Sequence, residues 1–198
     1  MILENLLNSQ KLISIIKEIK KQKKELWDVG IYGSFIRGKK TPNDIDLVIF
    51  LTKNISVEER LSLSQKLRDR IKELIKNVTV ETVSIEDFFD SNFMARQGIL
   101  AESYILTQKK YLSELLGFKT FTIFKFGLIG LSNSQKTLFR YAINGRRGQS
   151  GILKDVKGEK LGSGAVKIPI ENSEKFKSFL ESHKIDYKTE TAMFYFFR

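Results

Sequence analysis

Two aspartates set two residues apart, Asp44 and Asp46, are the side chains of this sequence best placed to do chemistry together. They open the run Asp44-Ile-Asp-Leu-Val-Ile-Phe-Leu51, whose later residues are apolar on both faces, as in a central strand. Residues two apart on a strand project from one face, so the two carboxylates are neighbours at the border of a core. Held this close they repel, and their desolvation without partners is costly. A divalent cation resolves the conflict. Hard oxygen ligands on a rigid strand, with phosphate oxygens completing the shell, suit Mg2+ or, in the same role, Mn2+. Upstream, Gly33-Ser34 turns a strand into a helix start, where free backbone N–H groups, the Ser34 hydroxyl and the helix dipole can hold a phosphate. A phosphate cradle beside a carboxylate pair is the equipment of metal-assisted phosphoryl or nucleotidyl transfer.

Composition removes most other chemistries. The 198 residues contain no Cys and a single His, His183, which excludes disulfide scaffolds, thiolate zinc sites, cysteine nucleophiles and a His-rich metal site within one chain. Hydrophobic residues at 41% and charged residues at 29% are globular values. The N-terminus lacks a basic region followed by an uninterrupted apolar stretch, and no apolar run approaches the roughly 18 residues of a membrane helix. A cytoplasmic protein with no membrane contact is expected. The 34 Lys+Arg against 23 Asp+Glu give a formal charge of +11, which points to a polyanionic partner. That charge is concentrated in residues 113–198, which carry 15 Lys+Arg and 8 Asp+Glu. Two modules are expected, 1–116 and 117–198, with the boundary near Gly117.

The elements that must position the aspartates follow from periodicity. Ser9 can cap a helix with the stripe Leu12, Ile15, Ile16 and Ile19. Trp27 to Tyr32 reads as a strand, followed by the Gly33-Ser34 turn and a short helical segment. Ser56 and Glu59 form a capping box, opening a helix with Val57, Leu61, Leu67, Ile71, Leu74 and Ile75 inward. Val78 to Ile85 reads as a third strand and residues 86–116 as helices broken near Gly98, with Glu86 and Asp87 as a polar helix start. The fold class of this half is α/β (α+β), a mixed sheet with helices. The second half reads as a smaller α+β module. Its order is a strand at Thr120–Leu128, a helix from Ser132 to Ile143, strands at Ile152–Val156 and Ala165–Ile170, a helix from Ser173, and a strand at Tyr187–Phe197. That β-α-β-β-α-β order is ferredoxin-like.

The pattern G-S-x(9)-D-x-D, with Arg37-Gly38 after the Gly-Ser, closely resembles the signature of the DNA polymerase beta-type nucleotidyltransferase superfamily, and within it the minimal nucleotidyltransferase (MNT) group. The resemblance covers roughly residues 9–112. It implies a two-metal mechanism on an NTP substrate, with Asp44 and Asp46 as ligands of both ions. It further implies a third carboxylate on the later strand, which falls on Glu81, where the usual residue is Asp. Gly33 and Ser34 would hold the β- and γ-phosphates, and Arg37 with Lys39 or Lys40 would neutralise the leaving pyrophosphate, Arg37 bidentately.

In the second module Lys136 and Arg140 share a helix face, and Arg146-Arg147 follows in a Gly-flanked loop suited to a phosphate backbone. Leu161 to Ile168 echoes the glycine spacing of the RNA recognition motif, but Ser163, Ala165 and Ile168 stand where its stacking aromatics belong. The tail Phe194-Tyr195-Phe196-Phe197 is expected to pack a core or a dimer interface. Three functions stay open: transfer of NMP to a nucleic acid, RNA favoured; an antitoxin-like enzyme modifying a HEPN-type toxin partner, as the MNT resemblance implies; and an inert nucleic-acid-binding protein.

Overall fold

The computed structural model describes residues 6–146 and 148–195, so Arg147 and the tail residues Phe196 and Phe197 lie outside the described residues. The chain divides into two compact units, Met1–Gly117 and Phe118–Arg198.

In the first unit, helix α1 (Gln10–Gln22) starts where the Ser9 hydroxyl accepts the Leu12 N–H at 3.3 Å, and it buries Leu12, Ile15, Ile16 and Ile19. Strands β1 (Leu26–Tyr32) and β2 (Ile45–Leu51) pair antiparallel. Helix α2 (Val57–Ile71) then crosses over to β3 (Val78–Val83), which runs parallel to β2 as a crossover helix dictates. Leu47, Ile49 and Leu51 point to the face covered by α1 and α2, against Ile16, Ile19, Leu67 and Ile71. Val48 and Phe50 point to the opposite face, where Val83, Ile99, Ile105 and Leu112 surround them.

Three expectations need correction in this unit. The α2 capping box forms, but Val57 and Leu61 are exposed; the buried stripe is Leu63, Ser64, Leu67 and Ile71, a four-residue spacing that leaves the first turn off the sheet. Residues 86–116 are not a helix pair broken at Gly98. They form a single 3-10 turn (Glu86–Phe89), helix α3 (Arg96–Glu102) with Gly98 inside it, and strands β4 (Tyr104–Ile105) and β5 (Lys110–Tyr111), followed by the short helix α4 (Leu112–Leu115). The free edge of β1 recruits Tyr104–Ile105 through Gly30 and Ile31, a tertiary pairing with no local period. The resulting sheet order is β3-β2-β1-β4-β5. Finally, the segment after Gly33 is a run of tight turns rather than a helix, with the Arg37 N–H donating to the Gly33 carbonyl and the Lys39 N–H to the Ser34 carbonyl.

The second unit comprises β6 (Phe118–Phe126), α5 (Asn133–Asn144), a hairpin of β7 (Gly145–Arg146) and β8 (Gln149–Ser150), α6 (Ile152–Asp155), β9 (Glu159–Gly162), β10 (Ala165–Pro169), α7 (Ser173–Ser182) and β11 (Tyr187–Tyr195). Ile152–Val156, expected as a strand, is a helical turn that buries Leu153 and Val156. Gly151 lies so close to the end of α5 that a Cβ there would stand 2.2 Å from the Ile143 carbonyl oxygen, which pins this turn to the helix instead of a sheet. Glu159–Gly162 supplies the missing strand. All pairings are antiparallel in the order β11-β6-β10-β9, with α5 and α7 on one face, the chain path of a ferredoxin-like sandwich.

Candidate active site

The antiparallel register places Tyr32 opposite Asp46, so the residue after Tyr32 meets the Asp46 side chain. That residue is Gly33, with φ of +79°, where a Cβ would lie 2.2 Å from Asp46 Oδ2. Only glycine accepts both the backbone angle and the carboxylate in that space. Asp44, two residues earlier on the same face, accepts a hydrogen bond from the Thr79 hydroxyl at 3.2 Å. Thr79 is the register partner of Asp46, and Glu81 that of Val48, so Glu81 projects from the same sheet face one step further along β3. Gly33, Arg37, Asp44, Asp46 and Glu81 therefore share one corner of the sheet. Lys39 stands at its rim with its side chain exposed, and Ser34 is half-buried in the turn.

The sequence reading missed Glu102. Its Oε2 accepts the Gly33 N–H at 3.2 Å and a charge-assisted hydrogen bond from Arg37 Nη1 at 2.7 Å, and the residue is 8% exposed. One signal was available. An acidic residue ending a helix opposes the macrodipole, so Glu102 in the last turn of α3 needs a compensating cation. Tyr32 was also missed. Burial pushes its hydroxyl up, and the charges of Asp46, Glu81, Asp44 and Glu102 add to the effect.

Burial likewise pushes the Asp46 carboxyl above the usual carboxylate range, and Asp44, Glu102 and Glu81 reinforce the shift while Arg37 opposes it. Such a cluster stores repulsion that a cation would release. Among the described residues no three His, Cys, Asp or Glu side chains converge into a cage for a metal ion. The donor set that is present, Asp46 on β2 and Asp44 in the bend just before it, fits a cation of the Mg2+ type, which takes one or two carboxylates and draws its remaining oxygens from substrate phosphates and water.

Farther along the same sheet face a cavity of about 710 Å3 opens, lined by Trp27, Phe50, Val83, Phe88, Leu100 and Leu112 among others. In the second unit, Lys136 and Arg140 sit one turn apart on α5, the first half-buried and the second exposed. Arg146 does not stand free in a loop; its guanidinium lies 4.4 Å from the centre of the Tyr141 ring. No helix among the described residues is long and apolar enough to cross a membrane.

The Polymerase beta, Nucleotidyltransferase family matches residues 14–112, the stretch that holds every residue of the carboxylate corner. No curated protein matches the chain. Among solved structures, the chain is similar to a mutant MntA–HpeT toxin–antitoxin complex at 16% identity and a TM-score of 0.36, over 48% of this chain and 70% of that one. It is also similar to a tri-AMPylated Shewanella oneidensis HEPN toxin in complex with MNT antitoxin, at 19% identity and a TM-score of 0.34, over 50% of this chain and 71% of that one.

Proposed function

The chain belongs to the polymerase beta nucleotidyltransferase family, and we propose that it transfers NMP from an NTP to the hydroxyl of a nucleic-acid acceptor, RNA in the first instance. The observation that carries this reading is the packing of Gly33 on Asp46, which sets the Gly33–Ser34 turn directly against the Asp46 carboxylate. The acceptor hydroxyl's oxygen bonds to the α-phosphorus and its proton passes to solvent, the bond from that phosphorus to the α–β bridging oxygen breaks, and pyrophosphate leaves. Gly33 gives the turn its shape, its own N–H being taken by Glu102, and the Ser34 N–H and hydroxyl are the groups that would hold the β- and γ-phosphates. Arg37, with Lys39 at the rim, balances the charge that builds on pyrophosphate. Asp44, Asp46 and Glu81 would hold Mg2+ or Mn2+. A divalent cation bound there supplies Lewis acidity toward the phosphoryl oxygens and lowers the pKa of the attacking hydroxyl. Lys136, Arg140 and Arg146 are assigned to the acceptor's phosphates.

The test is incubation with labelled NTPs, Mg2+ or Mn2+, and the total RNA and total protein of a cell extract as competing acceptors. Label in RNA, lost in Asp44→Asn/Asp46→Asn, is the expected result. Label on a protein instead, such as a small co-purifying HEPN-type partner, would move the acceptor from nucleic acid to protein. Absence of label from every acceptor would overturn the transfer reading.

A further inference from the structure

The sheet of the second unit has two unlike faces. Phe124, Val166 and Ile168 look toward α5, α6 and α7 and are buried among Phe139, Leu153, Phe176 and Leu180. The opposite face carries no helix of this unit among the described residues. Strand alternation places Lys119, Phe121, Ile123 and Lys125 of β6 on it, with Lys167 of β10 and Lys188 and Phe194 of β11 beside them. We propose that this open face is a binding site for single-stranded nucleic acid, which stacks bases on Phe121 and Phe194 and places phosphates against Lys119, Lys125 and Lys188.

The rings absent from β10 are present on its neighbours. Phe121 and Phe194 meet edge to face at 5.5 Å, and Lys167 Nζ lies 4.9 Å from the first ring centre and 5.3 Å from the second. Phe194 is 38% exposed, so it is not in the core, contrary to one expectation for the tail. Side chains opposite one another are small where the rings stand, with Ala192 and Pro169 flanking Phe121, which leaves room for a planar ligand. Aromatic rings with interspersed cations are what sequence-tolerant single-strand binding uses.

Charge selects the occupant. Lys125 and Lys188 stand directly opposite across β6 and β11, an arrangement that destabilises a bare sheet. Glu190 pairs with Lys125 at 2.6 Å and Glu159 with Lys167 at 2.9 Å, so the lysines Lys119, Lys125, Lys167 and Lys188 share this face with two glutamates. A second copy of a +11 chain would bring more like charge to this face, whereas a phosphate backbone neutralises it. The proposal adds a second surface for the acceptor, on the sheet face opposite Lys136 and Arg140 of α5, and rests on that reading for its use, but binding itself requires neither NTP nor cation.

The experiment measures fluorescence anisotropy of the full chain with a labelled 12-nucleotide single strand (RNA or DNA) and a duplex of equal length, in EDTA, across a salt series. Single strands are expected to bind tighter than duplex. Phe121→Leu and Phe194→Ala should each weaken binding roughly ten-fold or more without changing the salt slope. Lys125→Ala/Lys188→Ala should lower the log–log salt slope by about 1.4. Phe121→Leu keeps an apolar side chain on β6, and unchanged thermal melts show that each variant is folded. Equal binding by wild type and these variants overturns the proposal, as does a change confined to the monomer–dimer equilibrium. Retained binding with no transfer to any acceptor would instead sink the catalytic reading and leave this one standing.

Discussion

Glu102 Oε2 lies 2.7 Å from Arg37 Nη1 and accepts the Gly33 N–H with the same atom. A single carboxylate oxygen thus holds two donors of the turn that packs against Asp46. The partners are unequally buried, with the Glu102 side chain 10% exposed and that of Arg37 33% exposed. Loss of the cation therefore costs more than loss of the anion. Arg37→Ala should destabilise the fold by about 3 kcal/mol, because it strands a buried charge. Glu102→Gln should cost only about 1 kcal/mol, since an amide oxygen still accepts the Gly33 N–H. Urea unfolding of both variants checks the asymmetry, and equal losses would contradict it.

The corner collects Asp44, Asp46, Glu81 and Glu102 around Arg37, so in EDTA it is over-charged. Asp46→Asn should raise the melting temperature in EDTA by roughly 2–4 °C while abolishing transfer. The sign with pH follows from the raised Asp46 value. The folded state holds that proton more tightly than the unfolded chain, so the stability it contributes is present in acid and lost as pH rises through the folded value. The advantage of Asp46→Asn should accordingly widen from acid toward neutral pH. Mg2+ should stabilise wild type and leave Asp44→Asn/Asp46→Asn unmoved in the same melts.

Gly33→Ala introduces a methyl group 2.2 Å from Asp46 Oδ2 at a φ of +79°. Either the turn or the aspartate must shift, and a displacement near 1 Å at a reacting centre costs roughly 100-fold in rate. The expected phenotype is a folded protein with transfer reduced by about that factor, read by circular dichroism and the labelled-NTP assay together.

Asp87 lies, as expected, in the first turn of a helical segment, the 3-10 turn Glu86–Phe89, and its carboxylate reaches back to Ser84. Burial works against its charged form. The Ser84 N–H, the Arg60 guanidinium and the Ser84 hydroxyl outweigh that effect and hold its carboxyl below the usual range. Its stabilising contribution is present above the ordinary aspartate value and lost as pH falls through the lower folded one. Asp87→Asn should cost about 1–3 kcal/mol at neutral pH. Urea midpoints of variant and wild type should stay apart down to the ordinary aspartate value and converge only in stronger acid.

What the sequence disclosed and what it hid have separate physical origins. Gly33, Asp44 and Asp46 were legible because a sharp turn and two same-face carboxylates leave local marks, and the stripe of α1 was legible from its period. Glu102 was hidden because its partners lie 65 and 69 positions away in sequence. The β4–β5 hairpin was hidden for the same reason, being held by the edge of β1 rather than by its own pattern. Val57 and Leu61 misled because apolar residues at helical spacing do not reveal where the covering sheet ends. Ile152–Val156 misled because its β-like composition is overridden by a glycine contact with α5.

Strand β6 pairs with β11 from Phe118↔Tyr195 to Phe126↔Tyr187, so the second unit's first and last strands are sheet neighbours. Biosynthesis is vectorial, and this ladder cannot begin to close until the ribosome has passed Tyr187. The first unit, whose last sheet strand ends at Tyr111, has every partner available long before that. The nascent chain therefore presents a completed carboxylate corner while β6 still waits with an open edge. Completion of the second unit's sheet therefore waits on a long-range loop closure.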